Sequence, residues 1–291
     1  MSLSKVLWSE LLPYEFHKRM ELCPIVYLPL GINEPHGQIS AYGLDTIKAE
    51  YLCEEAARRF GGIVAPSLGY HIHESGYHAP WLELELCENN PHMTAMPPHV
   101  VLYYYLYQLR AFVNAGFRGI VVISGHSGGN QLDLRAASNV FTEQVKIPMW
   151  VGSDPELVNG LYEGDHAGKY EISQLMYLRP ELVDFTQAGL EFNPDMGGRL
   201  ALGADADQAS SELGEQIMEA SLQTLQAIVA NMTRVARSSE LVAIPTLHYD
   251  VVELMWQQIL AKRLEWRTSS PYPTQKPVSD HSRWKSYEYY R

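Results

Sequence analysis

Residues 119–130, Gly-Ile-Val-Val-Ile-Ser-Gly-His-Ser-Gly-Gly-Asn, decide the fold. The apolar residues Ile120 to Ile123 run continuously instead of alternating with polar ones, as in a strand buried on both faces. The run breaks into a glycine-rich turn carrying His126, and a helical pattern over 131–144 follows. Working outward, short apolar runs of the same kind occur at 25–30, 62–66 and 148–151. Each is rich in Val, Ile or aromatic residues and ends in Gly, Pro, Ser or Asp. Longer amphipathic stretches at 46–60, 100–115, 131–144, 171–178, about 209–232 and 250–262 read as helices. Gly61 and Gly116 stand where helix C-terminal caps belong, and Pro180 follows the helix at 171–178 closely enough to stop it. Strands alternating with helices predict an α/β protein: a mainly parallel central sheet flanked by helices on both faces.

The chain has 291 residues, 46% hydrophobic and 19% charged, an ordinary globular composition. Asp plus Glu is 34 against 22 Lys plus Arg, a net charge of −12, and no dense basic run occurs; a nucleic-acid partner is not expected. No apolar stretch approaches the ~20 residues of a membrane span, and residues 1–10 lack the pattern of a signal peptide. Cys23, Cys53 and Cys87 are odd in number and widely spaced, which reads as free thiols in a reducing cytoplasm. Composition shifts near Ser238. The expected organisation is one catalytic domain over 1–237, followed by an appendage over 238–291 with one helix and a Pro/Tyr-rich tail.

Three places combine a strand end with ionisable side chains. The first runs from Leu28 through Glu34-Pro35-His36 to Asp45. Pro35 disfavours the α conformation at Glu34, so this segment should be extended. Residues two apart in extended chain point the same way, which directs Glu34 and His36 into one space. A carboxylate and an imidazole there suit a divalent ion, although for this pair taken alone a Glu–His hydrogen bond in a loop is the favoured explanation. Asp45 stands where an N-cap would for the helix at 46–60. The second place is the turn bearing His126. Its glycine spacing fits neither dinucleotide-binding nor Walker loops, and no Lys follows, so a metal ligand is a better use of His126 than a phosphate cradle. The third is Asp165-His166-Ala-Gly-Lys-Tyr-Glu171. His166 and Glu171 are five apart and do not share a helix face, so the chain around Gly168 should be a loop. Glu171 either complements a helix N-terminus or joins the ligands. Together these segments bring two imidazoles and three carboxylates to one crevice, an inventory that suits a two-metal centre. His71 and His73, two apart after a strand, could line the pocket or replace a ligand. His92 and His99 flank a proline-rich loop. All four also read as satisfied polar groups and are left out of the predicted site. Trp81 and Tyr170 could close over a small substrate.

With these motifs in order, the sequence resembles the creatininase (creatinine amidohydrolase) family. The first family signature is met by Leu28, Pro29, Gly31, Glu34, His36, Gly37 and Asp45. The second is met by Gly125, His126, Gly128, Gly129 and Asn130, with Ser127 inserted. The third is met by His166, Ala167, Gly168, Glu171 and Ser173, and a fainter Ser-x-x-His by Ser75 and His78. The resemblance implies a creatininase-like fold, two divalent ions per chain (Zn, Mn or Fe), a small-molecule amide substrate and a homo-oligomer, often a hexamer. It also implies metal ligation by Glu34, His36, Asp45 and His126, with Asp45 as the bridge, and makes His78 a substrate-binding candidate. True creatininases carry a Glu for the second metal two residues after the loop His, where this chain has Gly128. Glu171 is therefore nominated as the remaining acid. Lys169 and Ile172 also depart from the third signature, and 93–98 replaces a familiar Gly-Thr. The expected reaction is attack by a metal-activated bridging hydroxide on an amide carbonyl, with His166 passing a proton to the leaving nitrogen. A formamide deformylase, a peptide-trimming hydrolase and a degenerate structural homologue remain alternatives. A Ser or Cys nucleophile is disfavoured, because no Gly-x-Ser-x-Gly elbow occurs and no cysteine lies in the motifs.

Overall fold

A computed structural model describes residues 4–73, 76, 78–82, 92–190, 201–238, 246–270 and 280. After α1 (Pro13–Leu22), β1 (Ile25–Leu30) enters a loop, and α2 (Leu44–Phe60) returns to β2 (Ile63–Val64). Two short strands, β3 (His71–Ile72) and β4 (Ala95–Met96), pair in parallel outside the main sheet, with the single turn α3 (Ala79–Trp81) between them in sequence. Then come α4 (Pro98–Asn114), β5 (Gly119–Ser124), α5 (Asn130–Val145), β6 (Met149–Ser153) and the short α6 (Asp154–Leu157). The helices α7 (Lys169–Leu178), α8 (Ser211–Ala236) and α9 (Tyr249–Ala261) follow.

The main sheet is parallel throughout, in the order β2-β1-β5-β6. Every residue of β1 and β5 is buried, which accounts for their unbroken apolar character. Val26, Leu28, Ile120 and Val122 face a core shared with α4, α5 and α9; Ile25, Tyr27, Val121 and Ile123 face one shared with α2 and α8. Fully burying each such side chain contributes on the order of 1.5–3 kcal/mol. Pro29 is tolerated in a central strand because of where its missing N–H points. Tyr27 O accepts from Ala65 N on the β2 side, and Pro29, two residues on, faces the same side beyond the end of β2.

From β1 the chain moves one way to β2 and the other way to β5 and β6. The topological switch therefore lies between β1 and β5, where open α/β sheets bind ligands beyond the strand ends. The loop after β1 carries Glu34 and His36, and the loop after β5 carries His126.

The expected strands at 62–66 and 148–151 become Ile63–Val64 and Met149–Ser153, and the helices shift by one to four residues at their ends. The last helix is more integral than a sequence boundary at 237/238 suggests. Val252, Met255, Trp256 and Ile259 of α9 share a core with β1, β5 and α4. The Pro/Tyr-rich tail, at 271–279 and 281–291, lies outside the described residues, as do Ser75 and Cys87. Among the described residues, no helix is long and apolar enough to cross a membrane.

Candidate metal centre

The loop after β1 is extended through Pro35 and directs Glu34 and His36 inward, buried to 1% and 0% exposure. His36 Nδ1 lies 3.0 Å from the carbonyl oxygen of Glu34, which can only accept. Nδ1 therefore carries the proton, and Nε2 is left pointing at Asp45 Oδ1 and Glu171 Oε2, each 3.4 Å away. Asp45 is not an N-cap: Gly43 holds that position, and Asp45 lies inside the first turn of α2. Its second oxygen, Oδ2, is 3.4 Å from His126 Nδ1, so one carboxylate spans the two imidazoles. Close approach of the β5 loop to α2 makes this possible. A Cβ on Gly125 would stand 2.0 Å from the Asp45 carbonyl oxygen, so only glycine fits.

The turn before α7 is held by Asp165. Its Oδ1 accepts from the backbone N–H of Gly168 and Glu171, and its Oδ2 from that of Tyr170. Ala167 takes a left-handed conformation, φ +51°, and donates its N–H to Glu171 Oε2 at 2.9 Å. The loop expected at Gly168 is present, and α7 begins at Lys169 with Glu171 in its first turn. His166 stacks on His36 with centroids 4.8 Å apart and donates from Nε2 to Pro35 O at 3.1 Å. Its Nδ1 faces Glu34 Oε1 at 3.9 Å, and the side chain is 29% exposed.

Three neighbouring groups belong to the site although sequence reasoning did not assign them to it. His73 Nε2 is 2.5 Å from Glu34 Oε2, while His126 Nδ1 is 2.9 Å from Glu34 Oε1. Lys48, one turn after Asp45 in α2, is buried with Nζ 2.5 Å from Glu171 Oε1 and 3.4 Å from Asp154 Oδ1. Asp154, just past β6, also accepts from Tyr170 Oη and Gln174 Nε2. Tyr170 is thus a buried partner of Asp154 and not a lid; Trp81 does line the cavity, edge-on to His166 at 5.2 Å. His71 is satisfied structurally, its Nδ1 accepting from Ile72 N and its Nε2 meeting Ser124 Oγ. His92 is exposed and paired with Tyr42 Oη.

Three sets of donor atoms each lie within 4.8 Å of one another: Glu34, His36 and His166; Glu34, His73 and His126; and His36, Asp45 and Glu171. Both oxygens of Asp45 and His36 Nε2 are buried without a hydrogen bond, and His126 turns its Nδ1 toward Glu34 and Asp45. Four carboxylates (Glu34, Asp45, Asp154 and Glu171) are almost completely buried around one buried lysine. Burial opposes charge throughout the cluster, yet the pairing overcomes it at most groups. Against burial, Glu34 and Asp45 lift His126 to about 10, and Asp45 and Glu171 hold His36 well above the usual imidazole value. Lys48 and His36 draw Glu171 below the carboxylate range despite the same penalty. At Asp154 burial prevails over Lys48 and raises the carboxyl to about 6. The donor set, carboxylate oxygen and imidazole nitrogen with unpaired atoms converging, fits divalent cations. Above it lies a cavity of about 230 Å³ whose walls include His78, Trp81, Ser127, Gly128 and His166.

Fold and site together define an α/β protein with a candidate metal centre at the switch point of a parallel sheet. The family model of creatininase (creatinine amidohydrolase) matches residues 9–229, and the chain belongs to that family. Among curated proteins it is 26% identical over 234 residues to the creatinine amidohydrolase of Pseudomonas putida, covering 68% of this chain and 86% of that one. It is 24% identical over 182 residues to the 3-dehydro-scyllo-inosose hydrolase of Thermotoga maritima, covering 58% of this chain and 55% of that protein, or about half its length. A creatininase crystal structure superposes with a TM-score of 0.61 at 24% identity, covering 78% of this chain and 98% of that one. A manganese form of creatininase superposes with a TM-score of 0.63 at 22% identity, covering 78% and 99%. The fold expected from the motifs is the one observed.

Proposed function

We propose that this protein hydrolyses a small non-peptide amide, cyclic or open, with two divalent ions held by Glu34, His36, Asp45, His126 and Glu171. The carrying observation is Asp45, whose two oxygens face His36 and His126 separately and make no hydrogen bond. The charge supports two ions rather than one. With the histidines neutral, as metal ligation requires, four buried carboxylates and one lysine leave three negative charges in a desolvated place, where unpaired charge is expensive. One dication leaves a negative residue; two leave a single positive charge, suited to a carbonyl that gains electron density as it is attacked. When bound, such ions would act as Lewis acids and lower the pKa of a shared water.

The chain's own groups supply the rest. Hydrolysis adds water across the C–N bond: the carbonyl carbon gains oxygen, and the leaving nitrogen must gain a proton. His166 reaches the cavity, and the Pro35 carbonyl fixes the proton on its Nε2. Nδ1 is therefore free to take a proton from the attacking water and return it to the nitrogen. Trp81 and the buried His78 wall the cavity and would orient a flat substrate. At about 230 Å³ it matches a small ring better than a drug-sized ligand. A second reading, a deformylase or peptide-trimming hydrolase, draws support from an adjoining groove of about 660 Å³ that shares Ser127 as a wall and would admit a longer substrate. Cys23 and Cys53 are buried, and burial raises the pKa of both thiols; a cytoplasmic location belongs to the same proposal. Assembly as a homo-oligomer belongs to the same proposal.

The test is metal analysis of protein purified without chelator, with assays on creatinine, a formamidopyrimidine and short peptides. His166→Gln should lower kcat by roughly 10²–10⁴-fold and leave metal content unchanged. Fewer than about one ion per chain, with no activity on added Mn or Zn, sinks the two-metal reading.

A further inference from the structure

We propose that His73 is a metal ligand, joining Glu34 and His126 around one ion. The proposal rests on the two-metal reading and identifies what completes the ion site around His126. Glu171, the acid nominated for that purpose, groups instead with His36 and Asp45, and its Oε1 is held by Lys48. The donors that lie with His126 are Glu34 and His73. His73 is 1% exposed, with Nε2 2.5 Å from Glu34 Oε2, and its Nδ1 makes no hydrogen bond. Its ring lies parallel to that of His126, centroids 4.9 Å apart and planes 24° apart, and stacks on His78 from the other direction at 4.5 Å and 28°.

The turn after β5 offers no competing donor at Gly128. A Cβ there would fall 1.9 Å from His78 Nε2 and 2.9 Å from His126 Nε2. No side chain, and so no carboxylate, can enter from the β5 loop while His78 holds its place. His71, two residues earlier, does not compete, since both its nitrogens are engaged by Ile72 and Ser124. His73 adds a neutral nitrogen donor to those of Glu34 and His126. A site with two imidazoles, Glu34 and the bridging Asp45 selects Zn or Co over Mn more strongly than an oxygen-rich one.

The experiment compares wild type, His73→Ala and His73→Gln by metal content, by calorimetric titration with Zn, and by the visible spectrum of the Co-loaded protein. Wild type should hold two ions. Losing a second-shell partner already costs about 10–100-fold in metal affinity, so losing His73 should weaken one of the two ions by at least about 100-fold. The Co absorption should lose intensity in the bands of that ion only. His73→Gln can still hydrogen-bond Glu34 but ligates poorly, so it should behave like His73→Ala and keep the wild-type melting curve in chelator. Free imidazole should restore the second ion to His73→Gly. Two ions at wild-type affinity in His73→Gln, with an unchanged Co spectrum, would make His73 an orienting partner of Glu34 and overturn the proposal while sparing the two-metal reading. Fewer than one ion in wild type would overturn both.

Discussion

Lys48 decides how the buried acids coexist. It projects from α2 one turn after Asp45 and meets Glu171, Asp154 and Asp45 while 1% exposed. Burial works against its charge, but the attraction of Asp154, Glu171 and Asp45 holds the ammonium well above the ordinary lysine value. Removing one partner of a buried ion cluster strands the others, at roughly 3–5 kcal/mol. Lys48→Met should therefore lower the unfolding free energy of chelator-treated protein by about that much, read from urea midpoints at neutral pH. A loss below about 1 kcal/mol would mean water already solvates these carboxylates. Added Zn or Mn should recover part of the deficit, because the ions neutralise the same acids. The sequence carried a signal for this lysine. Asp45, Lys48, Ala49, Leu52 and Ala56 form one buried stripe at helical spacing, and a lysine within it needs an anionic partner. Asp154 had its own signal, as an acid just past a predicted strand end. Both went unassigned because no family signature covers them, whereas Glu34, His36, Asp45 and His126 combine a signature with a strand-end position.

At the scale of elements, the sequence made the long features legible and hid the short ones. β1, β5 and the helices declare themselves through continuous apolar runs or amphipathic periods. β3 and β4 contribute two residues each and pair His71 with Ala95, too short and too distant in sequence to leave a periodic trace. That pairing places His73, which explains why sequence reading left it out. The C-terminal segment was equally hard to read, since its role comes from contacts and not from its own pattern. Asp133 in α5 accepts from the backbone N–H of Arg267 and Thr268, at 2.7 and 2.9 Å, and from Thr268 Oγ1. The segment it anchors lies against Gly76, where a Cβ would fall 2.2 Å from the Ser269 carbonyl carbon, and against Gly129, where one would fall 2.9 Å from Arg267 Cγ. It therefore braces both Gly76 and the loop of His126. Asp133→Ala leaves buried donors without that carboxylate, at roughly 1–3 kcal/mol each. Hydrogen exchange across 266–270 should rise, and with it KM for whichever substrate proves active, while kcat at saturation changes less. Wild-type exchange in the variant would mean the segment is held by packing alone.

For the whole molecule, the cluster predicts that rising pH separates the stability of metal-free protein from that of metal-loaded protein. In protein stripped of metal, His126 titrates near 10 and His36 is also raised, because Glu34, Asp45 and Glu171 outweigh burial. A histidine raised on folding stabilises fully below its unfolded value of ~6.5, and that contribution disappears as pH climbs through the folded value. Stripped protein should therefore lose stability steadily between about pH 6.5 and 10. Metal binding requires the same imidazoles neutral, so ions compete with protons, and affinity strengthens across that window. At a thousandfold excess of metal over Kd, each ion adds about 4 kcal/mol. The two melting curves should consequently diverge as pH rises, with the gap between chelated and Zn-loaded protein smallest near pH 6.5. Calorimetry in buffers of different ionisation enthalpy should show protons released on loading near neutral pH. Parallel curves with no proton release would mean that these histidines keep their protons when metal is present, and that the ions lie elsewhere.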